Sequence, residues 1–204
     1  MKSLLFFGVL VWLSAAVSGG VYLTRFESTP AEGNVGYPSS FPAESRLERD
    51  QLRPTLIFFA HPKCPCTRAS LHELARLMTD IDGKVTAYVV FIKPKDEDDD
   101  WASTDLLAIA EAIPHVQVVI DRDERETKIF DAQTSSLTLL YDRGGNLRFD
   151  GGVTAARGHE GDNAGRTSIF EIVSADAGKN AETPVFGCPL HKKDCPGEIF
   201  QPAR

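Results

Sequence analysis

Positive charge does not dominate any part of this chain. Lys and Arg number 22 against 29 Asp and Glu, the formal net charge is −7, and no basic stripe stands out, so nucleic acid is excluded as a partner. Cysteine is scarce, four in 204 residues, and none follows the apolar N-terminal run closely, so a lipid-modified cysteine anchor is not indicated. No internal repeat is visible. The glycine-rich stretch 151–167 fails as a phosphate loop. Glu160 stands where the first glycine belongs, Arg166 replaces the lysine, and the stretch follows a hairpin rather than a buried parallel strand.

The rest of the composition is that of a folded protein, 42% hydrophobic and 25% charged. Enough chain is present for one well-buried core. Residues 4–23 form an apolar run long enough to span a bilayer as a helix. Lys2 precedes it, while Arg25 and Glu27 cancel beyond it, so the charge bias puts the N-terminus in the cytoplasm. A cleaved signal peptide is the alternative, with Ala16-Val17-Ser18 as the cleavage site. Both readings export the remainder to a compartment where disulfides form. The division expected is a membrane anchor or signal segment at 1–25, a flexible Pro/Gly/Ser-rich linker at 26–52, a globular domain at 53–175 and a cysteine-containing tail at 176–204.

Within the domain, residues 55–60 form a continuous apolar run, as a buried central strand requires. Helical spacing predicts a helix over 65–79, stopped by Gly83, then a strand over 85–92. The acidic run 96–100 reads as a solvated loop. A short helix over 104–113 capped by Ser103, a strand over 116–120 and a short helix over 124–132 follow. A hairpin of 137–141 and 147–149 and a last helix over 164–173, capped by Asp162 or Asn163, complete the order β-α-β-α-β-α-β-β-α. That order predicts an α/β fold with a mixed sheet.

Cys64-Pro65-Cys66 lies at the junction of the first strand and the helix after it. Proline favours the first helical position, which puts Cys64 at the N-cap and Cys66 at the second helical residue. The helix N-terminus carries unpaired N–H groups and partial positive charge, both of which stabilise a thiolate. The Cys64 sulfur is expected to accept from those N–H groups as a capping oxygen does. It is also expected to be the more exposed, more acidic thiol, with Cys66 more buried and acting second. A Cys-x-Cys disulfide closes a small ring, and departures from relaxed geometry make such a bond easy to reduce.

On the strength of the apolar strand, the Phe59-Ala60 pair and the cysteines behind it, the chain resembles the thioredoxin-like family over residues 53–190. It is most similar to the membrane-anchored periplasmic TlpA/ResA type, and closer still to the small RedB-type proteins. The resemblance implies a thioredoxin-like fold, a mixed central sheet flanked by helices, and a redox-active disulfide in place of a bound cofactor. It implies thiol–disulfide exchange with protein thiols or disulfides in the periplasm, with the chain held to the inner membrane by its N-terminal helix. The sequence departs from the family pattern twice. Lys63 falls where the family places its nucleophilic cysteine, and Ser136 takes the place of a cis-proline that faces the pair.

Cys64 is therefore expected to attack, Cys66 to resolve, His61 to tune the thiol or move a proton, and Ser136 to face the pair. Pro65, Arg157 and His159 are candidate contacts for a substrate. His72 and His115 read as structural. Cys188 and Cys195 read as a local structural disulfide in the tail, with a second redox pair relaying electrons to Cys64 and Cys66 as the alternative. An alternative from a different class is copper or zinc binding and delivery on the same scaffold, similar to the Sco type. Cys188-x2-His191-x3-Cys195 has ligand-like spacing, and His61, Cys64 and Cys66 would complete a soft nitrogen and sulfur set.

Overall fold

The computed structural model describes residues 2–31, 36–175 and 180–191. Its first element is α1 (Lys2–Ser28). Within it, residues 5–28 contain a stretch with a mean hydropathy of 1.8 and are long and apolar enough to cross a membrane. Leu5, Phe6, Phe7 and Trp12 all point outward, unburied by the rest of the chain.

The domain is built on β1 (Thr55–Ala60), every residue of which is buried. It pairs in parallel with β2 (Thr86–Lys93) and antiparallel with β4 (Thr138–Tyr141). The other strands are β3 (Val116–Arg122), β5 (Leu147–Gly151) and β6 (Ala181–Glu182). Together they make one six-stranded mixed sheet in the order β3-β2-β1-β4-β5-β6. The architecture is α/β, a mixed central sheet flanked by helices, as the strand and helix order predicts.

Alternation along the strands divides the core in two. Leu56, Phe58, Val89, Phe91, Leu140 and Phe149 face α2 (Pro65–Ile81) and α5 (Ala164–Ala175). On the other face lie Ile57, Phe59, Val90, Leu139 and Tyr141, with Phe130 from the C-terminal end of α4 (Arg125–Ile129). Helix α2 buries Leu71, Leu74, Met78 and Ile81 at helical spacing. It ends at Asp82, whose left-handed backbone (φ 30°) returns an N–H to Met78, one residue before the expected glycine stop.

Two helices differ from expectation for identifiable reasons. Helix α3 (Asp105–Glu111) has Thr104 rather than Ser103 at its N-cap. The Thr104 hydroxyl makes no cap and instead donates to the Pro62 carbonyl at 3.0 Å. Helix α4 is short because the chain turns left-handed at Asp131 (φ 52°), while the buried Asp121 carboxylate holds its first turn by accepting from the Glu126 and Thr127 amides and the Thr127 hydroxyl at 2.8–2.9 Å. Helix α5 follows the sequence closely. Asn163 caps it by accepting from the Arg166 amide at 2.8 Å.

The stretch expected to be a flexible linker is docked over 36–52. Phe41 packs edge-on against Phe130 and Tyr141, Leu47 is buried, and Tyr141 Oη donates to the Pro38 carbonyl at 2.9 Å. Scattered aromatic and aliphatic anchors hold this segment without any periodicity to announce them. The tail also returns to the body. Strand β6 joins β5 in parallel, and Val185 and Leu190 enter the second core. The acidic loop is a surface turn as expected, with Lys93 and Arg122 pairing with Asp99.

Candidate functional site

Strand β1 delivers His61 to the C-terminal edge of the sheet. The chain then turns through Pro62 and Lys63 into α2. The Cys64 amide donates to the His61 carbonyl at 3.1 Å, and the Cys64 carbonyl accepts from the Thr67 amide at 3.1 Å. Cys64 is the N-cap (φ −90°, ψ 115°), followed by Pro65 in the first turn. The helix placement read from proline is thus observed.

The exposure of the two sulfurs reverses the expectation. Cys64 is fully buried, whereas Cys66 is half-buried. Cys64 makes no side-chain cap to the helix. Its extended backbone turns the side chain inward, where its sulfur meets that of Cys188 at 2.9 Å. None of the three described cysteines is joined in a disulfide, and they form one small cluster. Cys66 keeps its proton well above the ordinary thiol range. The first cause is its hydrogen bond to Cys64, then burial and the nearby Cys64 and Cys188, with Arg157 pulling the other way.

Cys188 arrives on the returning tail. Its carbonyl accepts from the Ser135 amide at 2.8 Å, the Leu190 amide donates to Gln133 at 2.8 Å, and Thr134 and Pro189 form an antiparallel bridge. The expected Cys188–Cys195 disulfide involves Cys195, which lies outside the described residues, but the placement of Cys188 is clear. It sits at the Cys-Pro-Cys site. The sequence held one signal for this. Val185, Phe186 and Leu190 flank the cysteine with apolar residues, which suit a docked segment better than a solvated tail.

His61 is buried, its ring edge-on to Trp101 at 5.4 Å. Its Nδ1 accepts from the Lys63 amide at 3.1 Å, so it shapes the loop into the cysteines. Lys63 lies over the same indole at 5.1 Å. Trp101, at the end of the acidic loop, thus walls the site, a role its neighbours in sequence gave no hint of.

Ser135 is the serine that builds the site. Its hydroxyl accepts from the His61 amide at 2.9 Å and shares a 2.7 Å hydrogen bond with Thr67. Ser136 has a left-handed backbone (φ 74°) and donates its amide to Phe59 at 2.7 Å. Its buried hydroxyl has no hydrogen-bond partner among the described residues.

Arg157 reaches the site, donating to the Gly187 carbonyl at 2.6 Å and lying over the Phe26 ring at 5.2 Å. His159 is exposed and pairs with Glu27 at 3.4 Å. Pro65 is exposed beside the sulfurs.

Among the described residues, no group of three or more His, Cys, Asp or Glu is arranged to hold a metal ion. Of the ligand set considered for copper or zinc, His61 uses Nδ1 within its own loop. His191 lies against Glu124 at 3.3 Å.

No family model matches the chain, and no curated protein does. Among solved structures, it is similar to an uncharacterized conserved protein from Geobacillus kaustophilus, with 18% identity, TM-score 0.61 and coverage of 79% of this chain and 95% of that one. A hypothetical protein from Sinorhizobium meliloti gives 15% identity, TM-score 0.61 and coverage of 79% and 97%. A secreted disulfide oxidoreductase from Mycobacterium tuberculosis gives 13% identity, TM-score 0.43 and coverage of 62% and 83%. At these identities the likeness to the first two is one of fold.

Proposed function

We propose that the domain exchanges disulfides with protein partners outside the cytoplasm, through Cys64 and Cys66, with α1 as its membrane anchor. The observation that carries this reading is the Cys64 sulfur at the N-cap of α2, 2.9 Å from that of Cys188 and clustered with Cys66. A sulfur beside a helix N-terminus is well placed to carry negative charge. This supports Cys64 as the attacking thiolate and Cys66 as a thiol that holds its proton until a mixed disulfide has formed. Exposed Pro65 offers a surface beside the sulfurs. His61, Thr67 and Ser135 position the loop. Because Cys64 is covered by the segment bearing Cys188, a partner reaches it as that segment lifts.

The test is turnover of a protein disulfide by the full chain in detergent. Cys64→Ser is expected to abolish turnover. A variant with both Cys66→Ser and Cys188→Ser is expected to accumulate mixed disulfides through Cys64. Retained turnover in Cys64→Ser would refute the assignment.

A further inference from the structure

Cys188 is separated from Cys64 by most of the domain in sequence, yet their sulfurs are 2.9 Å apart. Several independent contacts hold it there. Two backbone hydrogen bonds and the Thr134–Pro189 bridge run along the 133–135 loop. Gly187 presses against that loop so closely that a Cβ would come within 1.9 Å of the Ser135 carbonyl oxygen. Arg157 holds the Gly187 carbonyl from another side, at 2.6 Å. Val185 and Leu190 anchor the segment in the core on either side of the thiol. A thiol held this way has the placement of a reacting group, because proximity in a fixed geometry turns a bimolecular step into an intramolecular one.

We propose that Cys188 is a third redox residue and that the disulfide of the oxidised protein joins Cys64 to Cys188, latching the returning tail across the site. The inference rests on the exchange reading above and extends it to a second resolving sulfur. In the step, the Cys64 thiolate attacks one sulfur of a partner disulfide. The Cys64–partner bond forms, the partner S–S bond breaks, and the departing partner thiolate takes a proton from solvent. The Cys188 thiolate then attacks the Cys64 sulfur. The Cys64–Cys188 bond forms, the mixed bond breaks, and the second partner thiolate leaves and is protonated. Two electrons have passed to the partner, whose disulfide is now two thiols. Cys66 competes for the same sulfur from across Pro65, and the experiment below separates the two pairings.

The protein is reduced, oxidised with glutathione disulfide, blocked with N-ethylmaleimide, digested with trypsin and mapped by mass spectrometry. Cleavage after Lys63, Arg68, Lys179, Lys192 and Lys193 puts Cys64 and Cys66 on peptide 64–68, Cys188 on 180–192 and Cys195 on 194–204. A link between 64–68 and 180–192 is expected in the wild type and in Cys66→Ser, and is lost in Cys64→Ser. A link inside 64–68, or between 180–192 and 194–204, as the dominant product overturns the proposal. In exchange assays, adding Cys188→Ser to Cys66→Ser is expected to slow release of the trapped partner on the order of 100-fold. An equal release rate also overturns it. The two readings fail separately. The cross-peptide link without turnover keeps the Cys64–Cys188 pair and removes exchange. Turnover with only the 64–68 link does the reverse.

Discussion

Gly187→Ala tests the seating of the cysteine without touching a sulfur. A methyl there would lie 1.9 Å from the Ser135 carbonyl oxygen and 3.2 Å from the Thr134 methyl. Restoring ordinary contact at about 3.5 Å needs a retreat of about 1.5 Å by one of two packed backbone segments. The 133–135 loop is fixed by the Ser135 bonds to His61 and Thr67, so the tail is the part that gives way. The retreat loosens the Ser135–Cys188 and Leu190–Gln133 hydrogen bonds, worth about 1 kcal/mol each. A loss of about 2 kcal/mol corresponds to a fall in Tm of roughly 4–8 °C for a domain of this size. Cys188 moves off Cys64 in the same displacement, so the yield of the Cys64–Cys188 link should drop along with the Tm. Thermal melts on the reduced protein and peptide maps on the oxidised protein read the two effects separately. A variant that melts within about 1 °C of the wild type and forms the link in full yield would refute the close packing on which the argument depends.

The half-buried Asp150 on β5 lies opposite Glu182 of β6, and its carboxyl is pushed up to about 6, first by burial and then by the Glu182 charge. The folded protein therefore binds a proton more tightly than the unfolded chain, and stability falls as pH rises from about 4 to about 6. Asp150→Asn should stabilise the protein by about 1 kcal/mol above pH 7, a figure discounted for the group's partial exposure, and the difference should vanish near pH 4. Denaturant melts across this range check it, and a gain that persists at pH 4 would contradict it. For the proposed topology, a reporter that is active only in the cytoplasm, fused after Arg204, should be inactive, since the charge bias of Lys2 beside the apolar run predicts a domain outside. An active fusion would reverse the orientation.

The parts of the fold that were legible in the sequence are those governed by local rules. The continuous apolar run of β1, the 3.6-residue spacing of α2, the proline after Cys64 and the Asn163 cap each act within a few residues. The illegible parts depend on distant chain meeting distant chain. Phe41 and Leu47 have no period that would mark segment 36–52 as docked. Strand β6 is two residues long and exists only because β5 offers an edge. The site divides the same way. Cys64 and Cys66 announce themselves by adjacency and position, and the helix start was placed correctly. Their exposures were not, because local geometry says nothing of a tail that returns to cover Cys64. Ser135 and Ser136 are neighbours with opposite roles, decided by which hydroxyl faces Thr67 in the folded chain.

The end of α1 is tied to the site itself. The Ala31 amide donates to the Val185 carbonyl and the Arg157 amide to the Glu27 carbonyl, at 2.9 and 3.0 Å, and the Arg157 side chain bridges Phe26 and Gly187. With α1 in a bilayer, this arrangement leaves almost no tether between the lipid surface and the sulfurs. On the proposed exchange reading, the protein's search for partners would then run in two dimensions. Sulfurs held near the same membrane meet it at a high effective concentration, while those on large soluble proteins must come down to the surface to react.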